Sequence, residues 1–173
     1  KKIGFGIRTK NDPARYLTYP DCPELLVRDF HLDAGGEMTP EYLQKFKNAA
    51  KKIASEYPWI TLWAFQGELK ARFPNSWWSR EGSEEKAAFA HAKILKAFVD
   101  GVHEGNPKAK VYQDDPCNMS PAGGIAETDK LLEETNKLGV KFDVIAIHPY
   151  RYSPEDPDLD EDTRLFFTML EKR

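Results

Sequence analysis

Cysteine is scarce in this chain. Cys22 and Cys117 stand far apart, with no CxxC pair and no zinc-ligand spacing, so no disulfide scaffold or cysteine-rich metal site is encoded. The two can pair once or stay as free thiols, which leaves the redox compartment open. Histidine is as sparse: four scattered residues form no HExxH, and no metal site is expected. Basic clusters are missing beyond pairs such as Lys51-Lys52, and the formal net charge is −3. That argues against nucleic acid or an anionic membrane as the main partner. No apolar run approaches the roughly 20 residues of a membrane-spanning helix, so a soluble protein with no membrane partner is expected. A Gly-rich phosphate loop after the first strand and an early acidic pair are also lacking. Their absence disfavours nucleotide, flavin and phosphoacceptor roles, and no cofactor is expected. The chain opens at Lys1 with no signal-peptide core, a start that fits a processed or trimmed protein.

What is present reads as alternating strands and helices. Ile3 to Arg8 begins with an alternating apolar run and reads as a strand. Thr9 to Thr39 is rich in Pro, Asp and Gly without a sustained period, a loop long enough to suggest function. Thr39-Pro40-Glu41 is a helix start: a capping hydroxyl, a proline suited to the first position and an acid at the positive end of the dipole. Leu43, Phe46, Ala50, Ile53 and Tyr57 then recur at three or four residues, until Pro58 ends the helix. Ile60 to Phe65 has the profile of a buried strand.

A second helix starts at Ser83-Glu84-Glu85, with Ala88, Ala92, Leu95, Phe98/Val99 and Val102 as its stripe, and stops at Gly105-Asn106-Pro107. Lys110 to Gln113 reads as a strand, Ile125 to Leu138 as a helix closed by Gly139, and Phe142 to Ile147 as a strand. Glu161 to Arg173 resembles one more helix. This order predicts βαβ units and a parallel sheet with right-handed crossovers, in one domain over residues 1–173. Four strands are too few for a closed eight-stranded barrel, which needs about 250 residues. The sheet is therefore either small and open or part of a barrel.

In parallel α/β folds, chemistry collects where strands end and lead into helices. The first strand delivers Arg8. The second delivers Gln66-Gly67-Glu68, then Arg72 and the pair Trp77-Trp78. The third delivers Asp114-Asp115, and the fourth His148-Pro149-Tyr150-Arg151-Tyr152. The opposite, helix-to-strand turns carry little chemistry. Carboxylates, Arg, His and Gln read sugar hydroxyls, and Trp and Tyr rings take the apolar faces of sugar rings. An acid in a partly apolar cleft can have its pKa raised and protonate a glycosidic oxygen; Glu68, just beyond Trp63 and Phe65, is the candidate. Each residue also has a plain structural use, such as a loop-pinning Trp, a satisfied His before Pro149 or an Asp-Asp-Pro turn. The functional reading rests on four strand ends carrying compatible groups.

The stretch from Tyr42 to Tyr150 resembles the central part of the (β/α)₈ glycoside hydrolases whose acid/base Glu closes the fourth barrel strand. The matching residues are the helix Glu41 to Tyr57, the strand Ile60 to Gln66 followed by Gly67-Glu68, the run Asn106-Pro-Lys-Ala-Lys-Val111, and Phe142-Asp-Val-Ile-Ala-Ile-His-Pro-Tyr150. The resemblance implies an α/β fold that is a partial (β/α)₈ (TIM) barrel of about four parallel strands, each followed by a helix, running from strand 3 to helix 6. It implies a glycosidase degrading a polysaccharide or oligosaccharide, with Glu68 as general acid/base. His148 and Tyr150 would line the sugar subsite. Arg8, Gln66, Trp77, Trp78 and Asp114 are further substrate-binding candidates.

Two departures accompany the likeness. The family usually carries Asn before the acid, where this chain has Gly67, and the nucleophilic Glu of a seventh strand lies outside this chain. The chain by itself is therefore expected to be inactive or nearly so. An open half-barrel also exposes strand edges, which invites self-association or completion by missing barrel segments. The alternatives are a non-catalytic carbohydrate-binding barrel or pseudoenzyme, favoured by Gly67, and a small doubly wound domain. Polysaccharide hydrolases are often exported, which slightly favours a secreted or periplasmic protein.

Overall fold

The structure, a computed structural model, describes residues 5–6, 39–65, 84–113, 124–145 and 157–173. In chain order these form β1 (Phe5–Gly6), α1 (Pro40–Glu56), β2 (Leu62–Phe65), α2 (Glu84–Gly105), β3 (Lys110–Gln113), α3 (Ala126–Lys137), β4 (Val144–Ile145) and α4 (Pro157–Leu170). The start of α1 follows the sequence closely. The Thr39 backbone is extended, its hydroxyl accepts from the Tyr42 N–H at 3.2 Å, and Pro40 takes the first helical position. The end of α3 is a Schellman turn. Gly139, at φ 64°, lets the Gly139 N–H reach the Asn136 carbonyl at 3.1 Å and the Val140 N–H reach that of Thr135 at 2.9 Å.

The last helix differs from expectation, starting at Pro157 rather than Glu161 and ending at Leu170 rather than Arg173. The proline opens the helix instead of belonging to the preceding loop, and Asp158 and Asp160 in the first turn complement its dipole. Arg173 then leaves the helix and grips Asp129 of α3 with two bonds of 2.7 and 2.8 Å.

The four strands form one parallel sheet in the order β1-β2-β3-β4. The order does not reverse, so the described sheet has no switch point of the kind a doubly wound domain requires. Right-handed crossovers stepping always in one direction would carry the described helices to the same face. The packing agrees. Trp63, Phe65 and Val111 on one sheet face join Phe46, Ile53, Ala88, Leu95 and Phe98 of α1 and α2 in the main core. Ile145, on the same face by register, packs with Ile125 and with Phe166 of α4. The alternate positions Lys110, Tyr112 and Val144 turn to the other face, and Val144 is 45% exposed.

The core is built of small residues where α1 and α2 cross. Gly101 of α2 sits over Ala50 of α1, and a methyl group there would come within 2.8 Å of the Ala50 Cβ and run into the Lys47 carbonyl. One turn on, Gly105 meets Ala54 and the Lys51 carbonyl in the same way. The two helices therefore approach more closely than larger side chains allow. Phe46, Phe65 and Phe98 fill the space between that crossing and the sheet, with ring centroids 5.5 to 6.5 Å apart.

Candidate functional site

Parallel pairing brings four carboxyl ends to one edge of the sheet. Phe65 is in register with Gln113, and Gln113 with Ile145, while Gly6 pairs with Ala64 one position earlier. The segments singled out in the sequence continue from these ends. All eight candidates, Arg8, Gln66, Glu68, Trp77, Trp78, Asp114, His148 and Tyr150, lie outside the described residues, as do Cys22 and Cys117. What the structure describes is the platform beneath that edge.

That platform contains a polar pair that sequence reasoning missed. His91 of α2 and Gln113, the last residue of β3, are both fully buried. The imidazole Nε2–H donates to the Gln113 Oε1 at 2.9 Å, because an amide oxygen only accepts and so fixes the proton on Nε2. The ring stands edge-on to Phe65, with centroids 5.3 Å apart and planes at 70°. Burial pushes the imidazole pKa from 6.5 down to about 4, outweighing the Gln113 bond that favours the charged form. The ring is neutral at pH 7. A sequence signal for it existed: His91 follows Ala88 by three residues and precedes Leu95 by four, so it lies on the apolar stripe.

The opposite edge holds the strands together. Asn106 is buried in the turn between α2 and β3 and spans the neighbouring turn. Its amide N–H groups donate to the carbonyls of Pro58 at 3.1 Å and Ile60 at 3.2 Å, and its Oδ1 accepts from the Lys108 N–H at 3.2 Å. The Ile60 carbonyl also receives the Trp63 indole N–H at 3.1 Å. Asp143, just before β4, accepts from the Val111 N–H at 2.8 Å while its own N–H donates to the Val111 carbonyl at 2.7 Å. Asn106 and Asp143 both belong to the motifs that carry the family likeness. Here they act as fasteners between neighbouring chain segments, at the amino ends of the strands.

Further buried polar groups are Glu127 and Thr128 near the start of α3 and Asp162 in α4. Among the described residues no three His, Cys, Asp or Glu side chains gather as metal ligands, and no helix is long and apolar enough to cross a membrane. Comparison with protein-family models, with curated proteins and with solved structures gives no match to this chain.

Proposed function

We propose that the chain is the central part of a (β/α)₈ barrel, about strand 3 to helix 6, from a glycosidase acting on a polysaccharide or oligosaccharide, with Glu68 as its general acid/base. The observation that supports this most is the unreversed parallel order of the described strands, with the described helices α1, α2 and α4 packed on one face of the sheet. An open doubly wound sheet divides its helices between two faces; a barrel wall keeps them all outside. Neighbouring parallel strands lie about 4.8 Å apart, so four ends in a row span about 14 Å, the scale of two or three sugar rings.

Chain length ties the candidates to that row. Asp114 follows Gln113 directly, Arg8 follows Gly6 by two residues, and Glu68 and His148 follow Phe65 and Ile145 by three. At roughly 3.5 Å per residue, none of these four Cα atoms can lie more than about 11 Å from its strand end. In the complete protein Glu68 protonates the leaving oxygen as a carboxylate outside this chain attacks the anomeric carbon; Glu68 then takes a proton from a water whose oxygen attacks that carbon and displaces the carboxylate. That retaining scheme requires the two carboxyl groups about 5–5.5 Å apart. Arg8, Gln66, Asp114, His148 and Tyr150 hold sugar hydroxyls, and Trp77 and Trp78 stack on ring faces.

The experiment is Glu68→Gln in the complete protein, assayed on soluble polysaccharides. The expected result is a turnover lowered at least about a hundredfold with oligosaccharide binding retained. Undiminished turnover would reject the assignment. Gly67, standing where the likeness expects Asn, favours a second reading: a non-catalytic carbohydrate-binding barrel. A complete wild-type protein that binds oligosaccharides but turns none over is the outcome that selects it.

A further inference from the structure

Three residues in register end the sheet on its helix-facing side: Phe65, Gln113 and Ile145. The outer two are apolar, and the central one is an amide bonded to a buried histidine. Among the described residues Ala87, Ala88, Ile94 and Leu95 flank His91 along α2, and Phe65 lies against its ring. Cohesion alone does not call for polar groups here. What a hydrogen bond adds, and dispersion does not, is direction, since it is strong only over a narrow range of distance and angle. The Nε2–Oε1 bond joins a point two turns into a long, well-packed helix to the last residue of β3.

We propose that His91 and Gln113 are a positioning pair that fixes the last residue of β3 against α2, and with it the point and direction from which the chain enters Asp114-Asp115. The functional meaning of this rests on reading the carboxyl edge as a sugar site; the test below does not. A pair that merely fills space sets global stability. A positioning pair sets the local order of the strand end.

The test is hydrogen–deuterium exchange of peptides covering residues 110–118, with urea unfolding of the same proteins. His91→Leu and Gln113→Leu each leave one buried polar group without its partner. They are expected to speed exchange beyond Gln113 by about tenfold over any change in helix peptides of α1. In the double variant His91→Leu/Gln113→Leu the strand end is expected to stay fast. Strand-end exchange at the wild-type rate in the double variant, or no local change in either single one, overturns the proposal.

Should the leucine proteins fail to fold, His91→Gln and His91→Asn replace them. The glutamine amide reaches the same oxygen and keeps wild-type exchange, while the shorter asparagine does not; equal exchange in the two overturns the proposal. Local exchange that responds as expected in a protein that binds no oligosaccharide upholds the pair and removes the sugar reading. Unmoved exchange in a protein inactivated by Glu68→Gln does the reverse.

Discussion

Protonating His91 has a definite cost to the fold. Unfolded, its imidazole takes up a proton as the pH falls through 6.5; folded, it resists until about 4. Between those values the unfolded chain binds more protons, so stability is full above pH 6.5 and falls as the pH drops. The loss attributable to this one group approaches about 3 kcal/mol near pH 4. Carboxylates titrate in the same window, so the measurement is a difference: urea unfolding of wild type and His91→Gln from pH 7.5 to 4.5. The wild type should lose more stability on acidification, and parallel curves would contradict the buried neutral ring.

Asn106 gives a second residue-scale prediction. Asn106→Ala leaves the Pro58 carbonyl and the Lys108 N–H without this partner and should cost about 2 kcal/mol in urea unfolding. Asn106→Asp should be no better, because a carboxylate turns negative oxygens toward two carbonyls. A loss under about 0.5 kcal/mol would mean that the turns are held some other way.

Among the elements, the α1–α2 crossing makes the sharpest prediction. Replacing glycine by alanine inside an exposed helix stabilises it by about 1 kcal/mol. At Gly101 the sign should reverse, because the added methyl meets Ala50 and the Lys47 carbonyl. Overpacking of this kind costs about 1–3 kcal/mol, and Gly101→Ala should show a lower urea midpoint with an unchanged slope. A higher midpoint would show that the helices part without penalty.

The elements also show what could be read in advance. Thr39-Pro40-Glu41 fixed the start of α1, and Lys110 to Gln113 was read as a strand with the bounds observed, because caps and short buried strands carry local signals. The start of α4 differs because Pro157 follows Ser153-Pro154-Glu155-Asp156, which reads as loop, although proline also suits a first helical position. The two fasteners were invisible for a different reason. Nothing local distinguishes a turn asparagine from one that reaches across to Pro58 and Ile60, 48 and 46 residues away in sequence. His91 could have been noticed as a titratable residue on an apolar stripe, but its partner on β3 could not. The eight candidate site residues were legible as types at strand ends; their side-chain arrangement needs tertiary information that spacing does not hold.

For the whole molecule, the sheet face turned from the helices bears on assembly. Val144 is 45% exposed there, and β1 and β4 each pair with one described neighbour. If the wall belongs to a barrel, that face and those edges await further strands. The 173-residue chain on its own is therefore expected to self-associate, with a sedimentation coefficient that rises with concentration. A version extended by the closing strands should sediment as a single species. A chain that stays monomeric throughout would favour a self-sufficient open sheet.

The placing of Asn106 and Asp143 has one more consequence. The bonds that hold neighbouring segments in register lie at the amino ends of the strands, while the segments that carry the candidate residues follow the carboxyl ends in sequence. Tolerance to redesign should therefore be lopsided. Segments inserted after the carboxyl ends of the strands should be tolerated while the scaffold survives, whereas the turns that carry the two fasteners should resist even modest grafts.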